Sequence, residues 1–140
     1  MQNLEDKVSF GARGIVNLPL GGKDRKLRYR ASELAALEKR MGKGIISCLN
    51  EESLGIGFLH SALVVGVAHE FIGKKGKQKE NLTDELVYRW IDDCEEKDGL
   101  AFEELLQAVI KAVVQGLPGG AKLLEQEEAD EDGPNGEAAA

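Results

Sequence analysis

Apolar and polar residues alternate in two short runs near the N-terminus. In the first run, Val16, Leu18 and Leu20 alternate with a polar residue and a proline. In the second run, Leu27 and Tyr29 alternate with basic residues, and a polar turn with two successive glycines separates the runs. Because successive side chains of a strand point to opposite faces, each run can bury one face. The pattern predicts a β-hairpin with one buried face.

Helical periodicity begins directly after the hairpin. Ser32 is of a residue type preferred at the N-cap of a helix. Leu34, Leu37 and Met41 then recur at i, i+3 and i+7, which places them on one helix face. Gly42 can adopt the left-handed backbone that ends a helix. We therefore predict a helix that is capped by Ser32 and ends at Gly42.

Four more helices follow by the same criteria. They are predicted at Gly44 to Leu49, Ser53 to Gly73, Thr83 to Asp98 and Leu100 to Gln115. The second of these is apolar around most of its circumference, as is typical of a helix in the centre of a core. Its glycines, Gly55, Gly57 and Gly66, indicate close packing or a helix start as late as Gly57. Thr83 is the predicted N-cap of the next helix and Gly99 its stop.

Together these elements predict a fold that is mainly α with a small N-terminal β-hairpin, an α+β protein. A compact bundle of about four helices is expected to pack on the hairpin. The 140 residues, 42% of them apolar, suffice for one domain with a modest core. We predict a flexible arm at 1–12, which could enter the first strand at Val8, a single globular domain at 13–118 with an exposed loop at 73–80, and a disordered acidic tail at 119–140.

The net charge of −7 is unevenly distributed. Residues 125–140 contain seven acidic residues and no basic one, whereas the preceding 124 residues contain 18 of each.

Two cysteines, Cys48 and Cys94, lack CxxC spacing, and the sequence shows no secretory signal and no apolar run of membrane length. We expect two buried free thiols in a cytoplasmic protein that does not enter a membrane.

The sequence contains no pattern that is typical of an enzyme. His60 and His69 are nine residues apart, which would place them on opposite sides of one helix, so they could not bind one metal ion from that helix. The segment Gly21-Gly22-Lys23 is too short for a phosphate-binding loop and is better interpreted as a hairpin turn. No nucleophile motif is present either. We therefore predict a protein without catalytic activity, metal or cofactor.

The densest basic group lies on the second strand and its flanks, and it is the predicted partner-binding site: Lys23, Arg25, Lys26, Arg28 and Arg30. Strand alternation places Lys26, Arg28 and Arg30 on the solvent-exposed face. This basic stripe and the hairpin edge could therefore bind phosphates or an acidic partner segment. The alternative is that these charges only prevent edge-to-edge aggregation. A neutral body, an acidic tail and the lack of interleaved aromatic residues make nucleic acid an unlikely partner.

The predicted helix from Thr83 to Asp98 carries seven acidic residues, and it contrasts with the basic strand. Complementary patches of this kind could support weak head-to-tail self-association. Two solvated faces are the simpler alternative.

The order of these signals resembles the tail assembly chaperones of long-tailed phages, and most closely the gene transfer agent tail-protein family. The shared opening is G-x-V-x-L-x-L-G-G-K, followed by a strand and an L-x-x-L-E-x-x-x-G-x-G helix. The matching residues here are Gly14, Val16, Leu18, Leu20, Gly21, Gly22 and Lys23, then Leu34, Leu37, Glu38, Gly42 and Gly44. The similarity extends from residue 14 to about residue 117.

The resemblance implies a small, non-enzymatic, mostly helical protein that acts in the cytoplasm of a bacterial host before the virion is complete. Members of the family are thought to bind the long, apolar tape-measure protein and keep it soluble while the tail tube polymerises around it. Two alternatives stay open. One is a structural or adaptor subunit of the phage tail, and the other is a small nucleic-acid-binding regulator.

Overall fold

Three strands are followed by five α-helices in the part of the chain that the computed structural model describes, residues 7–51, 54–71 and 81–119. The strands are β1 (Ser9–Phe10), β2 (Ile15–Leu20) and β3 (Lys23–Arg28). The helices are α1 (Ala31–Met41), α2 (Ile45–Leu49), α3 (Ile56–Val67), α4 (Asp84–Asp98) and α5 (Phe102–Gly116), and a 3-10 turn (Ala68–Glu70) extends α3. The predicted α+β fold, mainly helical with its sheet at the N-terminus, is confirmed.

Strands β2 and β3 form the predicted hairpin. They pair antiparallel from Ile15 opposite Arg28 to Leu20 opposite Lys23, so only two residues remain in the turn. Both turn residues, Gly21 and Gly22, have positive φ angles of 69° and 88°. Such a turn matches the twist of a hairpin and favours glycine. The interpretation of this segment as a turn is confirmed.

The first strand of the sheet lies within the predicted N-terminal arm, directly after Val8, the earliest start that the sequence pattern allows. Residues 1–12 were predicted to be a flexible arm, but Ser9 and Phe10 form β1 and pair antiparallel with Asn17 and Val16 of β2. Val8, just before β1, is buried. A strand of two residues is too short to show alternation. Strand β1 is held in place by pairing with the edge of β2 that β3 leaves open. Residues 1–6 of the predicted arm lie outside the described residues.

Helix α1 starts one residue before the predicted N-cap. The Glu33 carboxylate accepts a hydrogen bond of 3.0 Å from the backbone N–H of Arg30, which makes Arg30 the N-cap and places Ser32 inside the first turn. The predicted end is correct, because Gly42 adopts the left-handed conformation at φ 77°. Helix α4 begins and ends as predicted, with the Thr83 hydroxyl accepting from Leu86 N–H and Gly99 in the left-handed conformation.

Helix α3 is the centre of the core, as its apolar composition predicts. It starts at Ile56, close to the latest predicted start, and packs against β3, α1, α4 and α5. Tyr29, which directly follows β3, inserts its fully buried side chain beneath α3 and donates a hydrogen bond of 2.7 Å from its hydroxyl to the Ala62 carbonyl.

The loop predicted at 73–80 and residues 120–140 of the predicted tail lie outside the described residues.

Candidate functional site

The structure divides the predicted basic site into exposed and buried members. Lys23, Lys26 and Arg30 are exposed and Arg28 is half-buried. Leu27 and Tyr29 between them are buried. Alternation along β3 therefore places Lys26, Arg28 and Arg30 on the solvent side, as predicted.

Arg25 is a correction to that site, because it is only 6% exposed and cannot present its guanidinium to a partner. Its Nε donates to the Leu20 carbonyl at 2.8 Å, and its Nη1 lies 3.1 Å from Oε1 of Glu70. The guanidinium carbon also lies 4.1 Å from the centre of a Trp90 ring, within the range of a cation–π interaction. Arg25 therefore joins the hairpin to the helices rather than serving as a binding residue.

The outer edge of β3 is partly covered at Lys26. The Lys26 backbone N–H donates to Glu70 Oε2 at 3.2 Å, and His69 Nε2 lies 2.8 Å from the Lys26 carbonyl oxygen, which accepts its proton. A partner strand would need these same two backbone groups to extend the sheet. The hairpin edge that the sequence suggested as a contact surface is therefore occupied at this position by the 3-10 turn.

Glu70 balances the charge of Arg25, so we expect Glu70→Gln to lower the free energy of unfolding. Removing the partner of a buried charge is costly, but Glu70 keeps 26% of its side chain exposed and the other contacts of Arg25 remain. We expect a loss of about 1 to 2 kcal/mol, measured by chemical denaturation. Glu96→Gln is the matched control, because Glu96 is exposed. Equal stabilities of the two variants would contradict this role of Glu70.

Arg28 and Glu33 form a second ion pair, at the junction of β3 and α1. Arg28 Nε and Nη2 both donate to Glu33 Oε2, at 3.0 and 2.9 Å. Burial alone would raise the pKa of Glu33, but the hydrogen bonds from Arg28 and from backbone N–H groups outweigh it and lower the pKa below its ordinary value. Glu33 therefore stays charged and holds Arg28 beside the start of α1.

An open groove of about 590 Å³ lies between α1 and the C-terminal half of α3, next to Arg28. Its apolar lining consists of small or short side chains: Ala36, Val64, Val65 and Ala68. Ala36 is exposed and Val65 is buried, so the groove descends from the surface of α1 to the core. Because these side chains are small, the backbone of a bound helix could approach closely.

The charged lining of this groove is mainly basic. Arg28, Lys39 and Arg40 are the basic residues and Glu33 is the one acid among the lining residues. Arg40 lies 3.3 Å from the exposed Asp84 carboxylate, whereas Lys39 has no ion pair within the described part of the chain. The groove thus combines an apolar floor with a basic rim.

Of the predicted site, only Arg28 lines the groove, and the other groove residues were missed. The signals that could have found them are the exposed alanines of α1 and the excess of apolar residues around α3. Both signals are weak, because small apolar residues occur on many solvated helix faces. The groove is visible only after α1 and α3 are packed together.

The remaining chemically active side chains make structural contacts. His60 is 3% exposed, with Nε2 hydrogen-bonded at 2.9 Å to the Asp84 carbonyl oxygen and its ring stacked at 3.7 Å on Tyr88. Within residues 7–51, 54–71 and 81–119, no cluster of His, Cys, Asp and Glu could hold a metal ion. Cys48 and Cys94 are buried free thiols, as predicted, and burial raises the pKa of both.

Comparison with protein-family models, with curated proteins and with solved structures gives no significant match to this chain. None of the helices in the described part of the chain is both long and apolar enough to cross a bilayer.

Proposed function

We propose that this protein is a non-enzymatic tail assembly chaperone of a long-tailed phage or prophage, and that it binds the tape-measure protein in the groove between α1 and α3. The family resemblance of the sequence motivates the choice of partner. The observation that supports a binding function most directly is the apolar floor with its basic rim. The proposed place of action is the cytoplasm of the bacterial host.

The groove fits an amphipathic helix with acidic residues beside its apolar stripe. In helix-in-groove recognition, the apolar face of the bound helix fills a hydrophobic cleft. Here Val64 and Ala68 would contact that face, while Lys39 and Arg40 would attract acids at its margins. The basic rim would attract the acidic residues of the bound helix and would also fix the orientation of that helix in the groove.

A groove of this size supports weak binding of one copy, which suits a chaperone. A tight single contact would hinder release when tube subunits arrive. Many copies along one long partner would instead give avidity without any new contact at each site. Weak self-association of the chaperone would increase this effect, and the acidic helix α4 and the exposed Lys23, Lys26 and Arg30 remain the proposed surfaces for it.

We expect Ala36→Trp to abolish or strongly weaken binding of a tape-measure fragment from the same genome. The indole would fill the groove, and overfilling of this kind costs about 1 to 3 kcal/mol, or about 5- to 150-fold in affinity. Ala35→Trp is the matched control, because Ala35 is also exposed on α1 but does not line the groove. Binding is measured by calorimetry and by the soluble yield of the co-expressed fragment.

Loss of binding in both tryptophan variants, or in neither, would contradict the groove as the binding site. Failure of the unaltered protein to bind any fragment or raise its soluble yield would count against the chaperone function itself. Mass spectrometry of purified particles distinguishes a chaperone from a permanent tail subunit, because a chaperone is absent from finished particles and a subunit is present in them.

A further inference from the structure

The groove between α1 and α3 is complementary to a segment of this same chain. Its rim has three basic residues to one acid, around an apolar floor. A fitting occupant therefore needs a few apolar residues followed closely by acids. The C-terminal region has this composition, because Leu123 and Leu124 directly precede six acids in the eight residues 125–132.

The C-terminal region leaves the fold close to the groove. Helix α5 ends at Gly116, whose backbone packs so closely against the Tyr29 carbonyl oxygen that a Cβ at Gly116 would overlap it. Tyr29 directly follows Arg28, which lines the groove. The departure point of the chain is thus adjacent to the β3–α1 junction, where the groove begins.

The length of chain after this point is ample. The sequence continues for 21 residues beyond Gly119, and an extended chain spans up to about 3.3 Å per residue. Helix α1, with its 11 residues, is only about 17 Å long at 1.5 Å per residue. Leu123 lies four residues and Asp132 thirteen residues beyond Gly119, which allows spans of up to about 13 and 43 Å. The leucines can therefore reach the near part of the groove, and the acids can reach its whole length.

We propose that residues 123–132 bind in the groove of their own chain, with the leucines on the apolar floor and the acids beside Lys39 and Arg40. Because the segment is tethered, its effective concentration at the groove lies in the millimolar range, so even a weak contact keeps the groove occupied. The segment would protect the apolar floor until a partner displaces it. This inference rests on the groove as the docking surface in the proposed function.

A spin label on the acidic segment tests this contact in the full chain. The label is attached through Ala129→Cys, and the native thiols do not compete because Cys48 and Cys94 are buried. In ¹⁵N-labelled protein we expect the amide signals of Ser32, Ala36 and Ala68 to lose most of their intensity to paramagnetic relaxation. The exposed turn residue Gly22, at the opposite end of β3 from Arg28, should keep its signal.

The matched control carries the same label in a chain whose six acids at 125–132 are changed to Gln or Asn. There we expect the groove signals to recover, because the attraction to the basic rim is lost. Groove signals that are unaffected by the label, or equally affected in both chains, would overturn the proposal. A second sample mixes spin-labelled ¹⁴N protein with label-free ¹⁵N protein, and broadening there would show binding to another copy, which also overturns it.

The test separates this inference from the proposed function, because it needs no phage partner. If the label does not reach the groove while Ala36→Trp still prevents partner binding, the inference fails and the proposed function stands. If the label reaches the groove but no tape-measure fragment binds with the six acids neutralised, the proposed function fails and the intramolecular contact stands.

Discussion

Gly66→Ala should lower the free energy of unfolding by about 3 kcal/mol, the upper part of the range for overpacked cores. Gly57→Ala, in the same helix, should leave stability unchanged or raise it by about 0.5 kcal/mol. Both residues lie within α3 and neither has a positive φ angle. The difference between the two variants therefore depends on the surroundings of each glycine and not on its backbone conformation.

The surroundings of Gly66 are the ring of Tyr29. A Cβ at Gly66 would overlap the Tyr29 hydroxyl oxygen and approach the ring carbon that bears it to 2.5 Å, whereas a Cβ at Gly57 would meet nothing within 4 Å. The ring cannot move aside easily, because it is fully buried and its hydroxyl is hydrogen-bonded to the Ala62 carbonyl. The added methyl group must therefore displace α3 from β3 or break this hydrogen bond.

Chemical denaturation of the unaltered protein and the two alanine variants measures these differences. Gly116→Ala should resemble Gly66→Ala, because its Cβ would overlap the backbone carbonyl oxygen of Tyr29. If Gly66→Ala were as stable as Gly57→Ala, Tyr29 would not be packed against α3 as described. The double variant Gly66→Ala/Tyr29→Leu should recover part of the loss, since the shorter side chain leaves room for the methyl group.

Local signals allowed the helices to be predicted from the sequence. Thr83 and Gly99 mark the ends of α4 correctly, because an N-cap hydroxyl and a left-handed glycine act on backbone groups within the same turn. At α1, two local signals compete. The Glu33 carboxylate accepts a hydrogen bond from the Arg30 backbone N–H, and the helix begins one residue before Ser32. The sequence contains both residues but does not show which one caps.

The candidate site depends on contacts that are distant in sequence, which is why most of it was missed. Arg25 was counted with its basic neighbours, yet Glu70, 45 residues away, and Trp90 hold it in the interior. Gly66 was recognised as a sign of close packing, but not which residue packs there. The groove needs the relative position of α1 and α3, and no periodicity within either helix specifies that position.

Tyr29 should also make the protein unusually sensitive to alkaline pH. Burial raises the pKa of the Tyr29 phenol well above its ordinary value of about 10. The folded state thus keeps this proton where the unfolded chain releases it. The stabilising effect is complete below about pH 10 and should decline by about 1.4 kcal/mol for each pH unit above it, until the folded-state pKa is reached.

Comparison with Tyr29→Phe isolates this effect from the other groups that titrate in base. Near neutral pH, Tyr29→Phe should be less stable by about 1 kcal/mol, because the hydrogen bond to the Ala62 carbonyl is lost. Above about pH 11 the order should reverse, since phenylalanine has no proton to release. Tyr88→Phe is the control, because Tyr88 is 46% exposed and should leave the alkaline decline unchanged. Parallel stability curves for the unaltered protein and Tyr29→Phe between pH 9 and about pH 12 would mean that the Tyr29 phenol reaches solvent in the folded state.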